Sequence, residues 1–269
     1  MLISILKYNF KMYIKSYKYI MPFFIFIAYT GMAYYITPVD IVGSMISSAA
    51  FIFALMTWIG FTYCNDVDLI AEEILILKLK SHTRYWISKI IFMSVVGLFF
   101  SILSIGLPII YNLICNVFKA PVTFSDVFVS FLIHMPLSII GALIGMLLQP
   151  RIISNRKMAM LGAIFIVLMS IAKEPVINEF PYAKYIVWIF PPINKISKAY
   201  LNLIHFNIPN LIMPLIIMII YIFIESFILI KRMKKVLFWY ALFYSRQLNY
   251  PVVLVLILNY FYIKPSTAQ

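Results

Sequence analysis

Nearly uncharged apolar runs of around twenty residues recur along this chain. At about 1.5 Å of rise per helical residue, a run of that length crosses a hydrocarbon core of about 30 Å. A soluble fold would leave such runs facing water. The composition agrees, with 64% apolar or aromatic and 12% charged residues, against about 45–50% and 25% for an ordinary soluble domain. The sequence therefore predicts an all-α polytopic membrane protein.

The spacing of the runs divides the chain further. Residues 1–19 carry Lys7, Lys11, Lys15 and Lys18 in one helical stripe beside an apolar face of Leu6, Phe10, Tyr13 and Tyr17, which is the pattern of an amphipathic helix lying in the membrane interface. Residues 28–31 lead straight into more apolar sequence, not into a cleavage site, so this segment is expected to be retained. Six transmembrane helices are expected, at 20–39, 41–65, 90–118, 127–150, 158–172 and 211–230. Residues 1–235 form the expected six-span domain, and 236–269 an apolar tail. Its stretch 251–263 is too short for a full crossing.

The net charge of +13 gains meaning from its placement. Lys and Arg number four before residue 20, four in 66–89, three in 151–157 and five in 231–246, sixteen in all; the alternate connections hold five. An excess on one side marks the cytoplasmic face, which places the N-terminus in the cytoplasm of a multi-pass cell-membrane protein and favours contact with anionic lipid. Nucleic-acid binding is the weaker use of such charge, and none is expected.

Little in the chain carries chemistry. Cys64 and Cys115 are predicted at opposite ends of adjacent spans, which argues against a disulfide, and no Cys/His spacing fits a metal. All eight glycines lie inside predicted spans, none in a phosphate-binding loop, while Gly141 and Gly145 form a G-x-x-x-G suited to close helix approach. Two ionisable residues, His134 and Glu225, fall within spans, where helix packing and ion pairing are the expected roles. Pro108 and Pro136 are placed to bend their spans. The connection 66–89 should contain a second helix: Asn65 stands at its start, Asp66, Asp68, Glu72 and Glu73 suit the positive end of its dipole, and Lys78 and Lys80 the negative end. Ser81, His82 and Thr83 break the run, and Arg84, Tyr85 and Trp86 mark re-entry at the interface. Residues 173–210 are expected outside the membrane as two short helices divided by Pro191 and Pro192, with Phe190 ending one and Ile193 or Asn194 opening the next.

In this order of pieces the chain resembles the permeases of type-2 ABC exporters over residues 1 to about 235. The matching features are the N-terminal amphipathic helix, the acidic-start loop helix with its polar break and basic-aromatic re-entry, and a Pro-rich short re-entrant extracellular helical segment before the last span. Two departures are the absence of a proline before Ser81 and the continuation past residue 235. The resemblance implies a permease for an amphipathic cargo, peptide first, with polysaccharide or drug-like cargo as alternatives. It implies no enzyme activity and no cofactor in this chain, ATP and Mg being bound by a separate ABC ATPase subunit. A second permease chain, the same or different, would complete the path. Glu72, Glu73, Lys78, Lys80, Ser81, His82, Thr83 and Arg84 would then couple to the ATPase, and Trp188, Pro191 and Pro192 become candidates for an extracellular gate.

Two other classes stand beside this reading. An intramembrane protease of the paired-glutamate type would use Glu72 and Glu73, but position 77 is Leu where that pattern needs Arg. A membrane immunity or scaffold protein that binds a partner without moving it fits the same topology. An ion-coupled transporter would need more midplane polar groups than His134 and Glu225.

Overall fold

A computed structural model describes residues 2–65, 69–79, 81–149, 152–153, 155–187, 190–200 and 203–247, with backbone alone for residues 2, 65, 69–71, 73, 77, 186 and 236–247. Among these the chain forms eleven α-helices and one 3-10 turn, and no named strand. The helices are α1 (Leu2–Lys15), α2 (Ile20–Ala33), α3 (Ile41–Asn65), α4 (Leu69–Leu79), α5 (His82–Cys115), α6 (Phe124–Leu147), α7 (Arg156–Ile171), α8 (Lys173–Glu179), α9 (Lys184–Val187), α10 (Ile193–Ala199) and α11 (Ile208–Gln247).

Four helices, α3, α5, α6 and α11, are long and apolar enough to cross a membrane, and α7 with α8 makes a fifth candidate if their 70° bend lies within one span. The protein is thus an all-helical membrane protein with four or five candidate spans. The first expected span is helical only over the fourteen residues of α2, roughly 21 Å at helical rise. It ends at Tyr34, and Val39 leaves the helical path to pair with the segment after α5: its N–H donates to Val117 O at 2.8 Å, and its carbonyl accepts from Lys119 N at 3.0 Å. The span expected from residue 90 begins eight residues earlier, because Ser81 is the N-cap of α5, its hydroxyl accepting from Arg84 N. The last helix runs forty residues, past the basic cluster at 231–235.

The centre of the bundle is α3 against α6. Gly141 and Gly145 lie against the α3 backbone, where a Cβ on Gly141 would strike the Phe53 carbonyl and one on Gly145 the Thr57 carbonyl; across the seam, Gly60 meets the Ala142 carbonyl in the same way. The G-x-x-x-G therefore serves packing within the chain. The apolar window of α6 is 67% buried and that of α11 17%, so α6 is the hub and α11 a peripheral helix. Leu211, Met218, Glu225, Leu229 and Met233 form the buried seam of α11. Ile216, Phe223 and Phe227 face outward, as they would toward lipid.

Buried side chains gather in two clusters, one at each end of the bundle. One joins α1, the C-terminal half of α3, α4, the start of α5 and the far end of α11 through Tyr13, Tyr63, Ile76, Trp86, Phe92 and Met233. The other joins the start of α3 and α6, residues 117–118, α10 and the start of α11 through Ile41, Val117, Val129, Ile196, Phe206 and Leu211. The basic segments of the chain collect at the first end. Lys18, between α1 and α2, lies near Arg156 of α7, and burial first, then that guanidinium, holds its ammonium below the ordinary lysine range.

Candidate functional site

The short helix α4 sorts its residues by face. Glu72, Ile76 and Leu79, spaced four and three apart, are buried, while Ile74 and Lys78 are exposed on the opposite side. Ile76 and Leu79 join the apolar cluster against α5. Glu72 brings a carboxylate into that cluster, which needs a specific partner.

That partner is Lys89, two turns into α5. Its Nζ lies 3.2 Å from Glu72 Oε1, with the two side chains 1% and 0% exposed. The same ammonium stands 4.4 Å from the Trp86 ring centre, 4.7 Å from Tyr85 and 5.9 Å from Tyr63 of α3. Tyr85 and Trp86 precede Lys89 by four and three residues, the spacing that brings side chains together on one helix face. Negative ring faces around a desolvated cation contribute up to about 2 kcal/mol, and the carboxylate answers the remaining charge. One lysine head thus joins α3, α4 and α5. Edge-on contacts extend the cluster to α1, where Tyr13 meets Phe92 and Tyr63 with ring centres 5.6 and 6.0 Å apart.

Around this latch stand the other residues singled out in the loop. Lys78 and Arg84 are exposed, and His82 and Thr83 are half-buried in the first turn of α5. His82 has Lys234 of α11 in its electrostatic surroundings, so the α4–α5 junction sits beside the far end of α11. Lys80 and the side chain of Glu73 lie outside the described residues. Lys89 was not among the expected site residues. Its signal is a lysine on the same face as Tyr85 and Trp86 at the mouth of a long apolar run.

The second expected group lies at the opposite end. Pro191 and Pro192 are buried at the start of α10, which begins at Ile193 as the proline pair predicts; Trp188 lies outside the described residues. The segment before the prolines is divided into α8, a 3-10 turn at Pro181–Ala183 and α9, not one helix. Its Tyr182 and Tyr185 are exposed. Phe190 O accepts from Lys173 Nζ at 3.1 Å and from Tyr221 Oη at 3.2 Å, which ties the segment to α8 and α11. The Tyr200 hydroxyl donates to Asn207 O at 2.8 Å, and burial pushes that phenol up to about 12.

A clasp at this end had no counterpart among the expected sites. Asp126 forms a capping box with Thr123 at the start of α6. Its carboxylate also accepts from His205 Nδ1 at 2.9 Å and Phe206 N at 2.8 Å. The Ser125 hydroxyl donates to Phe206 O at 2.9 Å. The connection into α11 is therefore fastened to α6.

His134 and Glu225, the ionisable residues expected within spans, are not brought together with either group. His134 Nδ1 lies 2.7 Å from the Ser130 carbonyl, an acceptor only, and so carries a proton; Nε2 lies 2.9 Å from Ser48 Oγ, whose hydroxyl is also within reach of the Met45 carbonyl at 2.9 Å. That is a helix-packing bond between α6 and α3. Glu225 is buried in the α11 seam, and its Oε2 accepts no hydrogen bond among the described residues. Compared with family models, curated proteins and solved structures, the chain matches none of them.

Proposed function

We propose that the chain is the membrane permease subunit of a type-2 ABC exporter, with its N-terminus and α4 in the cytoplasm and the α8–α10 segment outside the cell membrane. ATP is hydrolysed on a separate ATPase subunit, and a second permease chain completes the path. Six crossings arise when α2 and α7, without α8, are each counted as a short span. The observation that carries the proposal is the Glu72–Lys89 latch. A coupling element needs an outward face for the partner and a rigid attachment to the spans. Ile74, Lys78 and Arg84 supply the exposed face, and the buried ion pair supplies the attachment, so that displacement of α4 is passed to α5 and, through Tyr63, to α3. The apolar, aromatic spans favour an amphipathic cargo, peptide before polymer or small drug.

The test is co-purification with the candidate ATPase, followed by measurement of hydrolysis and of ATP-driven cargo movement in vesicles. Association that depends on Lys78 and Arg84, with hydrolysis uncoupled from transport when Glu72 or Lys89 is replaced, supports the proposal. Absence of association refutes it, and cargo binding without ATP-dependent movement would favour the immunity or scaffold alternative.

A further inference from the structure

Helix α1 presents three faces. Ile5, Asn9 and Tyr13 are buried against the bundle, while Lys7, Lys11 and Lys15, two residues out of phase with them, are exposed. Between these stripes run Leu6, Phe10 and Ile14, which do not seal against α5. They leave two adjacent apolar grooves, of about 590 and 390 Å³. The grooves share Phe10, Ile14 and Val95 as a common wall. The larger is completed by Phe92 and the three lysines, and the smaller by Phe23 of α2 and Phe100 of α5.

We infer that these grooves bind one anionic diacyl phospholipid of the leaflet on the α1 side. Two neighbouring apolar channels with one dividing wall match two acyl chains leaving one glycerol. The lysine rim complements a headgroup with a net negative charge, and long lysine stems lie along apolar surface while their heads stay at headgroup depth. Val95 and Phe99 are both about half exposed, so the channel walls continue onto the lipid-facing surface of α5. This assignment holds independently of the exporter reading.

The test is native mass spectrometry of the full-length chain in detergent, titrated separately with phosphatidylglycerol and phosphatidylcholine. One phosphatidylglycerol per chain is expected, bound at least tenfold more tightly than phosphatidylcholine. Each lysine near an anionic headgroup contributes roughly fivefold, so K7Q/K11Q/K15Q should bring phosphatidylglycerol down to the phosphatidylcholine level. V95W keeps every lysine and fills the shared wall, and should weaken both lipids. Soluble glycerophosphoglycerol should not compete. Equal binding of the two lipids by the native chain, an undiminished preference in the triple variant, or native binding by V95W would overturn the site. Competition by the soluble headgroup would replace the lipid with a free phosphate ester and equally overturn it.

Discussion

Lys89 Nζ and Glu72 Oε1 are 3.2 Å apart in a place that neither side chain shares with solvent. Such a pair is a poor source of net stability, because desolvating both charges offsets most of their attraction, yet it is costly to break from one side. Glu72→Gln leaves a caged ammonium without its counter-charge, and Lys89→Met leaves a buried carboxylate. Each should destabilise the chain by about 3–5 kcal/mol, read as a lowered midpoint of thermal unfolding in detergent. The double variant Glu72→Gln/Lys89→Met should be more stable than either single one. Additive losses would show that the two groups do not act as a pair.

The α3–α6 seam gives a second contrast. Gly145→Ala must push apart two backbones and should cost about 1–3 kcal/mol, whereas Gly106→Ala meets nothing within 4 Å and should gain up to about 1 kcal/mol in helix propensity. Opposite shifts of the unfolding midpoint are expected. A neutral Gly145→Ala would mean that the seam is looser than the glycine contacts require.

At the other end, Asp126 and His205 are unequal partners. Asp126→Ala removes the half of the α6 capping box that accepts from Thr123 N and leaves the buried Phe206 N–H without its acceptor, for about 2–4 kcal/mol. His205 is 38% exposed, so His205→Ala should cost under about 1 kcal/mol. Hydrogen exchange of the 203–207 amides should rise strongly in the first variant and little in the second; equal rises would place the imidazole, not the carboxylate, at the centre of the clasp.

Sidedness is checked by labelling with a membrane-impermeant maleimide in a chain freed of Cys64 and Cys115. Arg84→Cys should react only from the cytoplasmic side and Tyr182→Cys, 87% exposed, only from outside. Reaction of both from one side would contradict a membrane lying between the two ends.

Run length alone located α3, α5, α6 and α11, because a long uncharged stretch has few other places to go. It could not fix their ends. The run 20–39 was one apolar stretch, but Tyr34 starts a turn and Val39 is drawn into pairing with residues 117–119, a tertiary preference with no local signature. Ser81 looked like a break and is a cap, since the same side chain that interrupts a helix also starts one. Glu72 was legible as an acidic helix start, but its partner lies seventeen residues on. The pattern Thr123-x-x-Asp126 before an apolar run was a readable capping box. Its bonds to His205 and Phe206 cross about eighty residues and required the fold.

The last prediction concerns α10, which rests on the ends of the spans and is held to α11 by Asn210 Nδ2 donating to Ala199 O at 2.9 Å. If this segment is the outer gate of an exporter, α10 must part from α11 as cargo leaves. The buried Pro191 and Pro192 cannot donate backbone hydrogen bonds, so fewer such bonds hold the start of α10 to its neighbours. Ala199→Cys/Asn210→Cys, joined by a short bismaleimide, should abolish cargo export while leaving assembly with the ATPase unchanged. The uncrosslinked double variant should retain most export, because it loses only one half-buried hydrogen bond, about 0.5–1.5 kcal/mol. Export that continues with the crosslink complete would make the segment a static cover.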